Sequence, residues 1–334
     1  MRAMVLQRSA GVTTSPLTLQ EVTLPIPRPG EVRAQVRCCG VCHTDLHIVE
    51  GDLPLPKLPV IPGHQIVGIV DAVGRDVRVI KEGDRVGIPW LYSADGICGY
   101  CRHGFENLCD NAQFTGYHVD GGYGEHAVVR EDFAHPIPKN FSDENAAPLL
   151  CAGVIGYRSY RLSGAHADSR LGLYGFGASA HLVLQLARHE GCEAYVFTRS
   201  QAHRDLAKRL GAVWVGMAED APPEPLDASI IFAPAGSLIP RALSVLRKGG
   251  ILVLAGVTMS PIPQMNYSLL YQERQIRTVA NSTRQDVREF LELAAEVPVR
   301  TEVQVFDLEE ANSALQALKK SEIKAAAVLQ ISRS

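Results

Sequence analysis

Hydrophobic and polar residues alternate along much of the first 150 or so positions, a pattern typical of β-strands that bury one face. Residues 31–37 (EVRAQVR) and 67–73 (VGIVDAV) show it clearly. Proline and glycine, which favour turns, separate such stretches, as in 24–30 (LPIPRPG) and 83–87 (GDRVG). The region is therefore predicted to be a β-rich domain with many tight turns.

A different pattern begins near residue 153, where short apolar runs alternate with segments of helical periodicity. The apolar runs of strand length are 171–174, 194–198, 228–232 and 250–254. The helical segments between them include 180–189 and 204–210. This alternation predicts a parallel sheet with helices on both faces. After about residue 281 the pattern predicts a helix at 285–295, an extended segment and a helix at 308–320.

A glycine-rich turn follows the first of these apolar runs. It contains Gly175, Gly177, Ala178 and Ala180 and opens the helix at 180–189, which gives the order strand, G-x-G-x-x-A, helix. The glycines allow a tight turn and a close approach of the backbone to a pyrophosphate, whose charge the helix N-terminus stabilises. The turn predicts a dinucleotide-binding site. The alternative is a turn that serves only the packing of helix on strand.

Size and composition restrict the function classes. A chain of 334 residues is too long for one ordinary core, so two domains are expected. The net charge of −3, with both signs interspersed, gives no basic stripe for nucleic acid or an anionic membrane. The apolar run 251–257 is too short to span a bilayer, and the start lacks the apolar core of a signal peptide. Eight cysteines in such a chain are better explained as metal ligands than as disulfides, and the cytoplasm is the expected location.

Three separated residues suggest a catalytic zinc site. Cys42, His64 and Cys151 would supply two thiolates and one imidazole, and the fourth corner of the tetrahedron would stay open, as a catalytic zinc requires. Each residue taken alone is more often part of a core than a ligand. Their occurrence together with Thr44, Asp45 and His47 favours the metal site.

On these residues the chain resembles the zinc-containing medium-chain alcohol dehydrogenases along essentially its full length. The resemblance implies that Asp45 orients the ligand His64. It also implies that the Thr44 hydroxyl bonds the oxygen held at the zinc, and that His47 passes the proton to solvent. Relatives use NAD(H) or NADP(H) to interconvert alcohols with aldehydes or ketones, and a homodimer or homotetramer is implied as well.

The resemblance also gives an expected α/β architecture. A Rossmann-type doubly wound parallel sheet at 153–287 would bind the cofactor. A β-rich, GroES-like catalytic domain would comprise residues 1–152, with a structural-zinc lobe at about 90–112, and the chain would return to it at 288–334. Two zinc ions per chain are expected.

The second zinc is predicted in the insertion between Trp90 and Phe114. Its ligands, in the spacing D-x2-C-x2-C-x7-C, are Asp95, Cys98, Cys101 and Cys109. The alternative is a set of unrelated surface thiols. The family places four cysteines here, so Asp95 departs from its pattern, although a carboxylate also binds zinc and has the same charge as a thiolate. A closed, structural site is expected.

Further departures from the family affect the predicted function. Gln65 stands where the family usually has glutamate, in the second shell behind the zinc, and Ala326 stands where an arginine commonly meets the cofactor pyrophosphate. Trp90 matches one of two aromatic positions that crowd the substrate in relatives that prefer small alcohols, but Leu53 occupies the other. The larger space predicts a preference for medium-chain or aromatic alcohols and aldehydes.

The end of the second predicted strand of the cofactor domain indicates the cofactor. An NAD site usually ends this strand with an acidic residue that binds the adenosine ribose. Here Thr198, Arg199 and Ser200 stand there instead, with no carboxylate to repel a 2′-phosphate. Arg199 can attract the phosphate, and Arg204 is the candidate for a second contact. NADP(H) is therefore the predicted cofactor, with NAD(H) the alternative. Two other functions stay open, a polyol or sugar dehydrogenase of the same family and a non-catalytic nucleotide-binding protein.

Overall fold

The computed structural model describes residues 1–297 and 299–332, which form two compact units. Unit 1 comprises Met1–Cys151, Asn281–Ala295 and Arg300–Ser334, and unit 2 comprises Ala152–Ala280 and Glu296–Val299. The chain thus returns to unit 1 at 280/281, before the predicted boundary at 287/288. The difference arises because the helix that begins at Arg284 is fixed to unit 1 by its first residue, whose backbone N–H and guanidinium both donate to the Glu106 carboxylate.

The described residues contain seventeen strands and nine α-helices. The strands are β1 Arg2–Leu6, β2 Leu17–Glu21, β3 Glu31–Val41, β4 Ile66–Val73, β5 Arg85–Ile88, β6 Leu91–Ser93, β7 Gln113–Phe114, β8 His126–Arg130, β9 His135–Pro136, β10 Arg170–Tyr174, β11 Glu193–Phe197, β12 Trp214–Gly216, β13 Leu226–Ile231, β14 Leu246–Leu254, β15 Gln275–Thr278, β16 Val303–Asp307 and β17 Ala326–Gln330. The helices are α1 His43–Glu50, α2 Gly99–Arg102, α3 Asp143–Ala146, α4 Ala152–Ser163, α5 Ala178–His189, α6 Gln201–Arg209, α7 Leu238–Ser244, α8 Arg284–Glu296 and α9 Ala311–Lys319. Short 3-10 helices lie at Val12–Thr14, Glu106–Leu108, Glu131–Phe133, Ala147–Leu150, Tyr267–Leu269 and Leu308–Glu310.

Unit 1 is built on a seven-stranded sheet in the order β16-β17-β3-β4-β5-β9, with β8 paired to β3. The alternation predicted for residues 31–37 is confirmed, because Val32, Ala34 and Val36 are fully buried in the core while Arg33 pairs with Asp71 on the other face. Strands β3 and β4 are antiparallel, with Cys39 opposite Ile66. This register places the residues just after β3 next to those just before β4.

Unit 2 is built on a six-stranded sheet in which all neighbouring strands are parallel. The order is β12-β11-β10-β13-β14-β15, so the chain runs outward from β10 and then returns to the other side of β10. The α/β class with a parallel sheet is confirmed. Sheets with this reversal bind ligands at the carboxyl ends of the strands where the order switches. Here those strands are β10, directly before Gly175, and β13.

The sequence pattern missed two edge strands of this sheet, β12 and β15. Both are short, at three and four residues, and most of their side chains are not fully buried, so the apolar run that signals an inner strand is absent. None of the described helices has the length and apolar character needed to cross a bilayer.

Candidate metal centre and cofactor-binding turn

Cys42, His64 and Cys151 come together in unit 1 although they are far apart in the chain. Cys42 follows β3 and caps the N-terminus of α1, His64 lies two residues before β4, and Cys151 follows the 3-10 helix Ala147–Leu150. The Cys42 Sγ atom lies 3.4 Å from His64 Nε2 and 4.0 Å from Cys151 Sγ. The β3–β4 register and the helix start thus bring three candidate ligand atoms to one point.

The spacing of these atoms fits a zinc ion. Tetrahedral zinc with ordinary bond lengths separates two sulfur ligands by about 3.8 Å and a sulfur and a nitrogen ligand by about 3.6 Å. The observed separations of 4.0 Å and 3.4 Å agree with this geometry. Three donors in this unit leave one tetrahedral position for another ligand.

Asp45 fixes two of the three candidate ligands. Its Oδ1 atom lies 3.1 Å from His64 Nδ1, and its Oδ2 atom accepts a hydrogen bond of 2.9 Å from the backbone N–H of Cys42. The carboxylate is fully buried. It therefore holds the proton of the ring on Nδ1 and leaves Nε2 to face the thiols, as a metal ligand requires.

Protons compete with a metal for these candidate ligands. Burial lowers the pKa of His64, but the Asp45 carboxylate and the Cys42 sulfur oppose burial and raise this pKa to about 10. Hydrogen bonding to Cys151, together with burial, raises the pKa of Cys42 well above its ordinary value. A metal has to displace these protons, so its binding weakens as the pH falls.

Gln65 directly follows the candidate ligand His64 in the chain. Its side chain is 2% exposed and packs on Gly40, where an added Cβ atom would come within 2.8 Å of the amide carbon and oxygen. Within the described residues the Nε2 group has no hydrogen-bond partner. The family resemblance places this neutral amide where a glutamate is usual, and we predict that the lost negative charge makes the metal more electrophilic.

Thr44 and His47 lie on the same short helix, α1, just beyond Cys42. Thr44 is 9% exposed, and the Nδ1 atom of His47 lies 2.7 Å from Asp52 Oδ2. Asp52 was not predicted as a site residue. Its position follows from the end of the helix, because Gly51 adopts a left-handed conformation (φ 83°) and the next backbone N–H donates to the carbonyl of His47.

An aromatic wall adjoins the metal centre. The Trp90 ring meets His64 edge-on at 4.7 Å and stacks on Phe114 at 5.1 Å, with Tyr117 at 5.8 Å. Tyr117 donates a hydrogen bond of 2.6 Å to the carbonyl of Pro54, the residue after Leu53. Leu53 is half-buried and packs against the same core as these rings. Sequence reasoning assigned Trp90 and Leu53 to the substrate pocket and gave no role to Phe114 or Tyr117.

The second predicted ligand set also comes together, in the segment bracketed by the paired strands β6 and β7. One candidate ligand atom from each residue lies within 4.8 Å of the others, the residues being Asp95, Cys98, Cys101 and Cys109. Backbone amides and the side chain of Asn111 donate to the Asp95 carboxylate, and they hold its pKa far below the ordinary value. The group therefore stays anionic, as a zinc ligand must.

The glycine-rich turn of unit 2 has the conformation that a phosphate-binding turn requires. Gly175 has a φ of 82°, and an added Cβ atom would lie 3.1 Å from Ala233. Gly177 caps α5, and nothing lies within 4 Å of the place where its side chain would begin. Ala178 is the first residue of α5, and Ala180 is fully buried. The backbone N–H groups at the N-terminus of α5 therefore carry only small side chains beside them, which leaves them accessible to a ligand.

The predicted ribose-binding residues follow β11. Thr198 is 8% exposed, Arg199 is exposed, and the Ser200 hydroxyl accepts a hydrogen bond from the backbone of His203 at the start of α6. Arg204 donates to the carbonyl of Thr198 at 2.8 Å and to that of Arg199 at 3.2 Å. It therefore fixes the backbone of this turn, and its role as a second phosphate ligand stays a prediction.

Comparison with known proteins places the chain in a family. The model of the alcohol dehydrogenase GroES-like domain matches residues 28–139, and that of zinc-binding dehydrogenases matches residues 180–296. A probable alcohol dehydrogenase, AdhA, of Mycobacterium tuberculosis is 46% identical, with 99% of this chain and 97% of the relative covered. The chain belongs to the zinc-containing medium-chain alcohol dehydrogenase family. An alcohol dehydrogenase of Geobacillus stearothermophilus is 38% identical, with 95% and 96% covered.

Solved structures agree with this membership. A cinnamyl alcohol dehydrogenase of Sorghum bicolor superposes with a TM-score of 0.89 at 28% identity, with 98% of this chain and 97% of the other covered. Unit 1 carries the GroES-like fold and unit 2 the Rossmann-type fold of this alcohol dehydrogenase family.

The two ligand sets predict different consequences of losing one thiol. We expect two zinc ions per wild-type chain by elemental analysis. Cys42→Ser should lose one zinc and abolish turnover, because it removes a donor from the open centre. Cys98→Ser should also lose one zinc, but mainly lower the melting temperature, because the closed site in the lobe takes no part in chemistry. One zinc per wild-type chain would contradict the second site.

Proposed function

We propose that this protein is a zinc-dependent, NADP(H)-preferring alcohol dehydrogenase that interconverts medium-chain or aromatic alcohols with their aldehydes or ketones. The observation that carries the proposal is the three-donor centre of Cys42, His64 and Cys151, which fits zinc and leaves one position for a substrate oxygen. Zinc bound there would act as a Lewis acid and stabilise negative charge on that oxygen, so that hydride can leave the carbon.

The residues of α1 provide a route for the proton. The buried Thr44 hydroxyl can accept a proton and donate another but cannot keep a charge, so it serves as a relay. Asp52 accepts a hydrogen bond from His47 Nδ1 and so orients the imidazole, which can take up the proton. The Asp52 side chain is 52% exposed, so the pair lies where the proton can pass to solvent.

The aromatic wall supports a substrate with an apolar body. Trp90, Phe114 and Tyr117 offer ring faces and edges, and Leu53 leaves more space than a tryptophan would. A polyol or sugar would need several polar partners to replace its hydration, and this wall offers few. A relative in fold, the Sorghum enzyme, is named for an aromatic alcohol, which also supports this substrate class.

The alternative function, a nucleotide-binding protein without catalysis, is disfavoured, because it leaves the complete set of metal donors and the proton route unexplained.

The turn after β11 supports NADP(H). Thr198, Arg199 and Ser200 place no carboxylate where it would repel a 2′-phosphate, and Arg199 has no ion-pair partner among the residues described. The Ser200 hydroxyl accepts the bond that caps α6 and still has its own proton to donate. A free cation with a hydroxyl donor is a suitable partner for a phosphate.

Quaternary structure and location stay predictions. A homodimer or homotetramer in the cytoplasm is inferred from the family resemblance and the composition, and light scattering of the purified protein measures the first.

The proton route predicts the effect of Asp52→Asn. Without the carboxylate, His47 loses its orientation but keeps its ring, so kcat for alcohol oxidation should fall about tenfold, less than the roughly 100-fold minimum typical of losing a general acid–base group. Added imidazole should restore part of the rate. Asp71→Asn, which disturbs a second histidine–aspartate pair at His126, is the matched control and should leave kcat unchanged. An unchanged kcat in Asp52→Asn would remove this residue from the route.

The pocket predicts how kcat/KM depends on chain length. Each buried methylene contributes about 0.8 kcal/mol, or about fourfold, so kcat/KM should rise from ethanol towards medium-chain and aromatic alcohols. Leu53→Trp should reverse the trend by filling the space, whereas Leu19→Trp, at a half-exposed position on β2, should not. A steady fall in wild-type kcat/KM from ethanol upward would refute the predicted substrate class.

Cofactor preference is tested with matched variants at the same turn. The wild type should have a higher kcat/KM with NADPH than with NADH. Arg199→Met should lower the value for NADPH about tenfold or more, as expected for a charged hydrogen bond, and leave that for NADH nearly unchanged. Thr198→Asp should move the preference towards NADH. A wild type that prefers NADH would show that NAD is used without the usual acidic residue.

A further inference from the structure

The segment of chain that carries Leu53, residues 53–59 and here called the pocket segment, is not fixed by secondary structure. It contains no helix or strand, and its three prolines have no backbone N–H to donate. Leu53 and Leu55 are half-buried and pack against the core of unit 1, while Pro54 between them is exposed. Among the described residues, the backbone of the pocket segment takes part in one hydrogen bond, at the carbonyl of Pro54.

The donor of that bond is the hydroxyl of Tyr117, which lies 63 residues further along the chain. Its oxygen lies 2.6 Å from the carbonyl oxygen of Pro54. Its ring is half-buried, with its centre 5.8 Å from that of the Trp90 ring. Burial raises the pKa of Tyr117, so the hydroxyl stays neutral and keeps the proton that it donates. The bond therefore joins the pocket segment to the aromatic wall.

The turn that carries Tyr117 is itself held in place. The N–H of Gly116 donates to the carbonyl of Val119, which closes the turn. Gly116 has a φ of 74°, and a Cβ atom added to it would lie 2.8 Å from backbone atoms of Gly63. The turn thus packs on the residue before His64. The Tyr117 hydroxyl therefore reaches Pro54 from a fixed support beside the candidate metal centre.

Other contacts hold the two ends of the pocket segment but not its middle. At its start, the N–H of Asp52 donates to the carbonyl of His47 at the end of α1. Towards its end, the Lys57 ammonium lies 2.6 Å from the Asp120 carboxylate, but these side chains are 38% and 50% exposed. Water and salt screen such an exposed pair, so it contributes little. The hydroxyl of Tyr117 is therefore the contact that fixes the part of the segment that packs on the core.

We propose that Tyr117 is a positioning residue that sets substrate specificity, because its hydroxyl holds the pocket segment where Leu53 can line the substrate pocket. The inference rests on the proposed function for the assignment of Leu53 to that pocket. It gives the hydroxyl of Tyr117 a role separate from that of its ring in the aromatic wall. The hydroxyl acts on how well the apolar body of a longer alcohol is bound, and it takes no part in the chemical step.

Tyr117→Phe tests this role, because it keeps the ring and removes only the hydroxyl. The measurement is kcat and KM for ethanol and for hexanol with the zinc-loaded enzyme at saturating cofactor. The ratio of kcat/KM for hexanol to that for ethanol should fall about fivefold, the factor that corresponds to one ordinary hydrogen bond. The fall should appear as a higher KM for hexanol with kcat nearly unchanged, because the lost contact is made equally in the bound state and the transition state.

A second measurement reports on the pocket segment itself and needs no substrate. Lys57 is the only lysine or arginine between Arg37 and Arg75, so trypsin can cut this stretch at one bond, that between Lys57 and Leu58. In the native, zinc-loaded protein, Tyr117→Phe should be cut at this bond about fivefold faster than the wild type, because loss of the hydrogen bond lets the segment leave the core. Mass spectrometry of the fragments over time gives the rate.

Two comparisons separate positioning from a general loss of structure. Tyr195→Phe is the matched control, because it also removes a hydroxyl that donates a hydrogen bond, here to the Glu193 carboxylate in unit 2. Its preference for hexanol and its rate of cleavage after Lys57 should equal those of the wild type. Leu53→Ala should lower the preference for hexanol by itself, and adding Tyr117→Phe should lower it little further, since both act through one contact.

The outcomes also distinguish this inference from the proposed function. Wild-type cleavage in Tyr117→Phe, an unchanged ratio of hexanol to ethanol, or an effect of equal size in the Leu53→Ala background would each overturn the positioning role and leave the dehydrogenase proposal intact. A wild type that oxidises no alcohol would instead refute the proposed function and the specificity role with it, and faster cleavage of Tyr117→Phe would then support only the contact with Pro54.

Discussion

The Asp45 carboxylate is the group on which the arrangement of unit 1 most depends. A fully buried charge is tolerated only where donors surround it, and Asp45 receives one from the backbone of Cys42 and another from the ring of His64. These two donors lie at the same end of the antiparallel β3–β4 pair, one just after β3 and the other just before β4. One carboxylate therefore starts helix α1, sets the tautomer of a ligand and joins the two segments that the sheet register brings together.

The two ligand sets of this chain differ in composition and in how their residues are held. At the open centre, a buried imidazole and two half-buried thiols lie beside the Asp45 carboxylate, which accepts hydrogen bonds from His64 and from the backbone of Cys42. In the lobe, a carboxylate replaces a thiolate as the first ligand, and amide donors together with Asn111 keep it charged. The second arrangement is local, because all four ligands lie within one short segment. It needs no register between distant strands, as expected of a site that stabilises a loop.

Features of the site that follow from short-range patterns could be predicted from the sequence, and those set by long-range contacts could not. The strand alternation, the glycine-rich turn and the spacing of Asp95, Cys98, Cys101 and Cys109 are local, so they could be read directly. The pairing of Asp52 with His47 was missed although Gly51 signals the helix end that produces it. The bond from Tyr117 to Pro54 spans 63 residues, and no local pattern encodes it.

The position of Cys151 has a consequence for the unfolded chain. It is the last residue of the first segment of unit 1, and it meets Cys42 across a sequence separation of 109 residues, while His64 meets Cys42 across 22. An ion held by all three would close two long loops and act as a covalent-like crosslink. Such crosslinks restrict the disordered ensemble by an amount that grows slowly with loop length. The three residues that would hold a catalytic metal would therefore also limit the dimensions of the unfolded chain.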